Sequence, residues 1–236
     1  MTALASDSYL ATRSPAELES YGELQADINA GVARPVSEDP VLGPLLAPVL
    51  EGLLRHPWCQ AIREQPRVYV HSDPAANFVT FGNIIVMPSM TFCGASSASE
   101  LASLCKGALA HELSHMLCDD SRMMHDNPDM RDSTDMERRA DLIAAHLCGD
   151  GGASLADFLE LGSKSQQMVG ADASIETDPR RLRYPEITER IEYLRDWSQQ
   201  FRHGEKLPAP KFPFETRLRM KESRADDRSG TLQPGA

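Results

Sequence analysis

Nowhere in the 236 residues do apolar side chains run on for the roughly eighteen positions that read as a membrane-spanning helix, so no membrane span is expected. The opening stretch, MTALASDSYLATRSP, lacks a charged segment followed by an apolar run, and no secretory signal is expected there. Positive charge is scarce. Twenty-four Lys and Arg against 35 Asp and Glu leave a net charge of −11, with no basic stripe to neutralise phosphates, which excludes nucleic acid as the natural partner. Cysteine is sparse and odd in number: five, at 59, 93, 105, 118 and 148, without a CxxC pair. That pattern excludes a disulfide framework and a thiolate metal site, and fits small buried hydrophobes in a reducing, cytoplasmic compartment, with export by a route that needs no signal peptide left open. No internal repeat is present. With 41 % hydrophobic residues the chain can bury one core, so the expected organisation is a flexible tail over 1–15, one domain over 16–203 and a loosely ordered tail over 204–236.

Against that background one stretch stands out, His111-Glu112-Leu113-Ser114-His115. Residues four apart on a helix share a face, so both imidazoles can reach one cation. Glu112, about 100° further round, would lie beside the ion and hold a water against it. This is the layout of a zinc hydrolase. About 0.015 such matches are expected by chance from this composition. The surrounding ELASLCKGALAHELSHMLC, rich in Ala and Leu with one glycine and no proline, predicts a largely buried helix with Glu100 near its positive end.

A catalytic zinc needs a third ligand from another element and an open position for water. Met136-Glu137-Arg138-Arg139-Ala140-Asp141 opens a second helical stretch running to about Cys148. Glu137 is the candidate third ligand. Asp141, one turn further, can accept the free ring N–H of His111, fixing its tautomer. One zinc per chain is expected, its retention weakening below about pH 6, near the ordinary histidine value.

The rest of the chain places these helices. Ser14 and Pro15 open a helix over 15–30, ended by Gly31. A second, over 39–55, is broken or delayed by Pro40, Pro44 and Pro48. Val68–Val70 and the segments 77–80 and 83–87 around Gly82 read as strands of a small hairpin or meander. If Ile84, Ile85 and Val86 form an edge beside the metal, their backbone can bind a peptide substrate as an added β-strand. The polar stretch 119–136, with Met123, Met124, Met130 and His125, reads as a loop that can act as a lid. A helix capped by Ser154 follows to about Leu161, and a last amphipathic helix over 186–201 carries Ile187, Ile191, Leu194 and Trp197 on one face.

With HELSH followed by MERRAD on a second helix, the chain resembles the M48 family of gluzincin zinc metallopeptidases over about residues 60–200. Asn77-Phe78 and Gly82-Asn83-Ile84-Ile85-Val86 look like the family's asparagine and glycine-led edge strand, and Tyr184-Pro185 through Arg190-Ile191 like its His-Pro and Arg-Ile segment. The resemblance implies a mainly helical α+β, zincin-like domain with a small, mostly antiparallel sheet packed on the HExxH helix. It implies a zinc endopeptidase with Glu112 as general base and Asn77, Gly82, Ile84, Ile85 and Val86 along the substrate. Tyr184 stands where the family has histidine and is the candidate oxyanion donor, with Arg180, Arg181 and Arg183 as alternatives; the transmembrane helices of some members are missing. An ImmA/IrrE-like peptidase that cuts regulators, a hydrolase of a non-peptide substrate, and a non-catalytic zinc-containing partner-binding domain remain the rival readings.

Overall fold

The computed structural model describes residues 4–73, 78–89, 94–126, 134–168, 186–213, 216–217 and 219–220. Eight α-helices and four strands lie among them, in the order α1 (Asp7–Leu10), α2 (Pro15–Asn29), β1 (Ala33–Pro35), α3 (Leu42–Leu54), β2 (Arg67–His71), β3 (Val79–Phe81), β4 (Ile84–Pro88), α4 (Ala98–Cys118), α5 (Asp120–Asp126), α6 (Thr134–Cys148), α7 (Ala153–Met168) and α8 (Ile187–Arg202). The chain is therefore α+β and mainly helical, as expected. No described helix is long and apolar enough to cross a membrane.

The sheet is mixed, with strand order β1-β2-β4-β3. Its outer joints, β1 to β2 and β3 to β4, are antiparallel, and the central joint of β2 to β4 is parallel. The edge assignment of Ile84, Ile85 and Val86 is therefore corrected. β4 pairs with β2 on one side and β3 on the other, and Ile84 and Ile85 are fully buried. Ile84-Ile85-Val86-Met87 is apolar at every position, which suits the two covered faces of β4, but the pairing of both its edges follows from its place between β2 and β3. β3 is the terminal strand.

Each face of the sheet has its own cover. Val68, Val70, Ile85 and Met87 join Leu109, Leu113 and Leu117 of α4 in the main core; Tyr69, Ile84, Val86 and Phe81 pack with Tyr21 and Leu24 of α2 behind it. The sheet is thus the middle layer between α2 and the helices that carry the site. Ser14 and Glu17 cap α2 reciprocally, and Pro15 occupies its first turn. α3 begins late, at Leu42, where Asp39 accepts from the amides of Val41 and Leu42.

Within the two expected tails, some described residues are fixed to the body of the fold. Leu4 and Ala5 are buried in the rear core, and the Leu4 carbonyl accepts from Asn83 Nδ2. Near the other end, Thr216 is fully buried and donates to the Leu117 carbonyl at 3.0 Å, while Arg219 reaches Leu117 O and Ala61 O. Thr216 and Arg219 together satisfy the Leu117 carbonyl left over at the end of α4. α7 runs beyond the expected Leu161 to Met168, and Asp150 rather than Ser154 caps it, accepting from the amides of Gly152 and Ser154. Of the cysteines, 59, 105, 118 and 148 are buried free thiols, and Cys93 lies outside the described residues.

Gly107, the one glycine of α4, is where α7 closes on that helix. A Cβ there would stand 2.5 Å from Leu155 N and Ser154 C. Alanine would add helix propensity but force backbones apart, so Gly107→Ala is expected to destabilise by about 1–3 kcal/mol despite that gain. Urea denaturation measures it; an unchanged midpoint would mean that α7 yields freely.

Candidate metal centre

Helical spacing brings His111 and His115 to one side of α4, with ring centroids 4.6 Å apart. The first turn of α6 presents Glu137 to the same point. His111 Nε2 and His115 Nε2 are 3.0 Å apart, His111 Nε2 is 3.3 Å from Glu137 Oε2, and His115 Nε2 is 3.5 Å from Glu137 Oε1. Tetrahedral bonds of about 2.0–2.1 Å put ligand atoms about 3.3 Å apart. The three donors therefore fit a single ion of that kind, and this buried group can hold a metal ion.

Asp141 stands where expected, its Oδ1 2.9 Å from His111 Nδ1, an ion-pair approach bent away from a linear N–H bond. It is fully buried because Arg190 of α8 grips it through Nε at 2.9 Å and Nη2 at 2.7 Å, and Tyr193 also donates to it. Arg190 Nη1 lies 3.2 Å from Glu137 Oε2 as well. Arg190 thus holds both the candidate ligand and the carboxylate behind the other ligand. In the sequence Arg190 carries only the Arg-Ile resemblance; its position one turn before Leu194 on the buried stripe of α8 is the signal for this role.

His115 has its own support, which sequence reasoning missed. Its Nδ1 lies 2.9 Å from Asp120 Oδ2, and Arg139 holds the other oxygen of Asp120. Asp119 makes this reach possible: it caps α4 in the left-handed conformation at φ 58°, which aspartate tolerates, turning the chain back under His115. Arg13 pairs with Asp119 at 2.9 Å, and Ser121 donates to buried Glu17 at 2.6 Å, so the capped start of α2 braces this turn. The start of the expected lid, residues 120–126, is therefore helix α5 rather than loop. The stretch 127–133 lies outside the described residues.

Electrostatics follow from this crowding. Burial opposes charge on His111, but the carboxylates of Asp141 and Glu137 outweigh it and raise the imidazole to about 10. Burial likewise disfavours ionised Glu137, yet His111, His115 and Arg190 pull it down to about 2. Asp141 is buried too, and His111 and Arg190 hold it far below the usual carboxylate range. The three groups and Arg190 thus form a buried cluster of opposed charges.

These groups open onto a cleft of about 530 Å³ lined by His111, Glu112, His115, Glu137 and Thr80 among others. Glu112 shares the cleft without joining the donors, and its Oε2 accepts from Thr80 Oγ1 at 2.5 Å. One wall is apolar, formed by Phe78, Leu155, Phe158 and Leu159, with the rings of Phe78 and Phe158 edge to face at 5.7 Å. Gly82 does not line it: at φ 54° it makes the β3–β4 turn, its Cα against the Tyr21 hydroxyl, where a Cβ would stand 2.2 Å from that oxygen. Ile84, Ile85 and Val86 are also absent from the lining, being interior to the sheet. Asn77, Tyr184 and the arginines 180, 181 and 183 lie outside the described residues.

No family model, curated protein or solved structure matches this chain.

Proposed function

We propose that the protein is a zinc-dependent endopeptidase. The observation that carries the reading is Glu112, a buried carboxylate in the cleft of the three donors that takes no part in their triangle. A site that only stored or was braced by a metal has no use for a fourth, unligating acid there, whereas hydrolysis needs one. The likeness of HELSH and MERRAD to the M48 gluzincins supports the same choice.

On this reading His111, His115 and Glu137 hold zinc, while Asp141 and Asp120 orient the two rings from behind. Zinc, when bound, would polarise the scissile carbonyl and acidify water. Glu112 takes the proton of the attacking water and passes it to the leaving amine. The oxyanion donor is assigned to Tyr184 or one of the arginines 180, 181 and 183. The substrate strand is reassigned from β4 to β3: its outer edge pairs with no strand among the described residues, and Val79 and Thr80 line the cleft. A peptide adding there would run past the apolar wall of Leu155, Phe158 and Leu159, which favours a large apolar side chain near the scissile bond.

The test is digestion of an unfolded protein and a peptide library by zinc-loaded protein. Cleavage that stops on chelation and returns with zinc, enriched for apolar residues beside the cut, is the expected result. An inert protein at one zinc per chain overturns the proposal.

Metal binding should also expel protons. Because the neighbouring carboxylates raise His111 to about 10, zinc must displace its proton at neutral pH, and weakening begins well above the pH 6 expected from an ordinary histidine. One displaced proton makes affinity rise about tenfold per pH unit. Calorimetry at pH 7.5 in buffers of different ionisation enthalpy should count at least one proton released per zinc, and none released would show His111 neutral beforehand. In the metal-free protein the same raised value stabilises the fold fully below about 6.5, and this contribution is lost as pH rises through about 10.

A further inference from the structure

Thr80 is the middle residue of β3, opposite Ile85 of β4. Side chains alternate across a strand, so Thr80 turns toward α4 while its neighbour Phe81 packs edge to face on Tyr21, 5.2 Å away, behind the sheet. Its hydroxyl reaches 32 residues along the chain to donate to Glu112 Oε2. A glutamate has three rotatable bonds, and a base must present one defined lone pair to the water it deprotonates. Holding Oε2 fixes the plane of the carboxylate and leaves Oε1 as the acceptor. A hydroxyl donating to an ionised carboxylate is among the stronger neutral-to-charged contacts.

We infer that Thr80 is a positioning residue for Glu112, and that it links the two halves of the site, because the strand that carries it is the one an extended peptide would join. The inference rests on the endopeptidase reading. It adds that the strand on whose backbone a substrate seats is the same strand whose Thr80 side chain aims the base. Nothing in the HExxH pattern specifies such a residue; it comes from the terminal strand, and only the register of β3 against α4 places it.

The experiment compares Thr80→Val, which removes the hydroxyl at nearly constant volume, with Thr80→Ser, which keeps it. Kinetics on a cleaved peptide and zinc content are measured together with the infrared carboxylate band of Glu112, identified by its loss in Glu112→Gln. Thr80→Val should lower kcat by about 10–100-fold with KM within about threefold, stoichiometric zinc and a shifted band. Thr80→Ser should recover both kcat and band to within about threefold of wild type and to the wild-type position, respectively. Wild-type kcat in Thr80→Val, an unshifted band, or a serine variant as poor as the valine variant overturns the inference while leaving an active peptidase in place. A wild-type protein that cleaves nothing at full zinc loading removes the endopeptidase reading and the positioning role with it.

Discussion

Glu112→Gln is expected to abolish peptide hydrolysis, lowering kcat by at least about 10²–10⁴-fold, while one zinc per chain remains bound. The amide keeps the volume of the side chain and can still accept the Thr80 hydroxyl through its oxygen, so packing against β3 should survive. What it loses is the ability to take up the proton of the attacking water. Glu112 is outside the donor triangle of His111, His115 and Glu137, which is why metal content and activity should separate in this variant and fall together in His115→Ala or Glu137→Ala. Elemental analysis and turnover on the same preparation make the comparison. A glutamine variant within about threefold of wild-type kcat would remove Glu112 from the chemistry, since that lies far inside the range for losing a general base.

The largest loss of stability is expected at Asp141→Ala, about 3–5 kcal/mol. Removing the carboxylate leaves the guanidinium of Arg190 buried with only Glu137 at 3.2 Å to balance it, and strips His111 of the carboxylate 2.9 Å from its Nδ1. Tyr193 loses its acceptor in the same step. Zinc affinity should fall by about 10–100-fold, as for loss of a carboxylate behind a ligating histidine. Replacing both partners, as Asp141→Leu with Arg190→Leu, should recover much of the stability, because exchanging a buried pair for apolar packing is often neutral. It should not recover the zinc affinity. Urea denaturation with a zinc titration reads both quantities; a single variant costing under about 1 kcal/mol would show that the pair is not desolvated. Because His111 and Arg190 hold Asp141 far below the ordinary carboxylate range, its contribution is fully present above about 3.8 and is lost only as pH falls through strong acid.

Local rules made much of this legible. The i and i+4 spacing of His111 and His115 fixes a common helix face wherever the helix goes, and Ser14-Pro15 with Glu17 fixes where α2 starts. Glu137 and Asp141 were readable because an acid leading into Leu142-Ile143-Ala144-Ala145 sits on a face that must turn inward. Asp120 was not, because its approach to His115 depends on a left-handed Asp119 where glycine usually marks such a turn. Nor were the contacts of Leu4, Thr216 and Arg219, whose partners Asn83, Leu117 and Ala61 lie far along the chain.

By itself the sequence determined the long helices α2, α4, α6 and α8, the shared face of His111 and His115 and the acid beside it, since each depends on neighbours within a turn or two along one backbone. Only the tertiary structure decided which strand is terminal, because pairing partners are chosen by how two apolar faces are covered and not by the strand's own residues. That choice put β4 inside and β3 at the cleft, brought Thr80 onto Glu112, and swung Arg190 from the last helix onto Asp141 and Glu137. Contacts across such separations carry no sequence period, so nothing in the chain announces them before it folds.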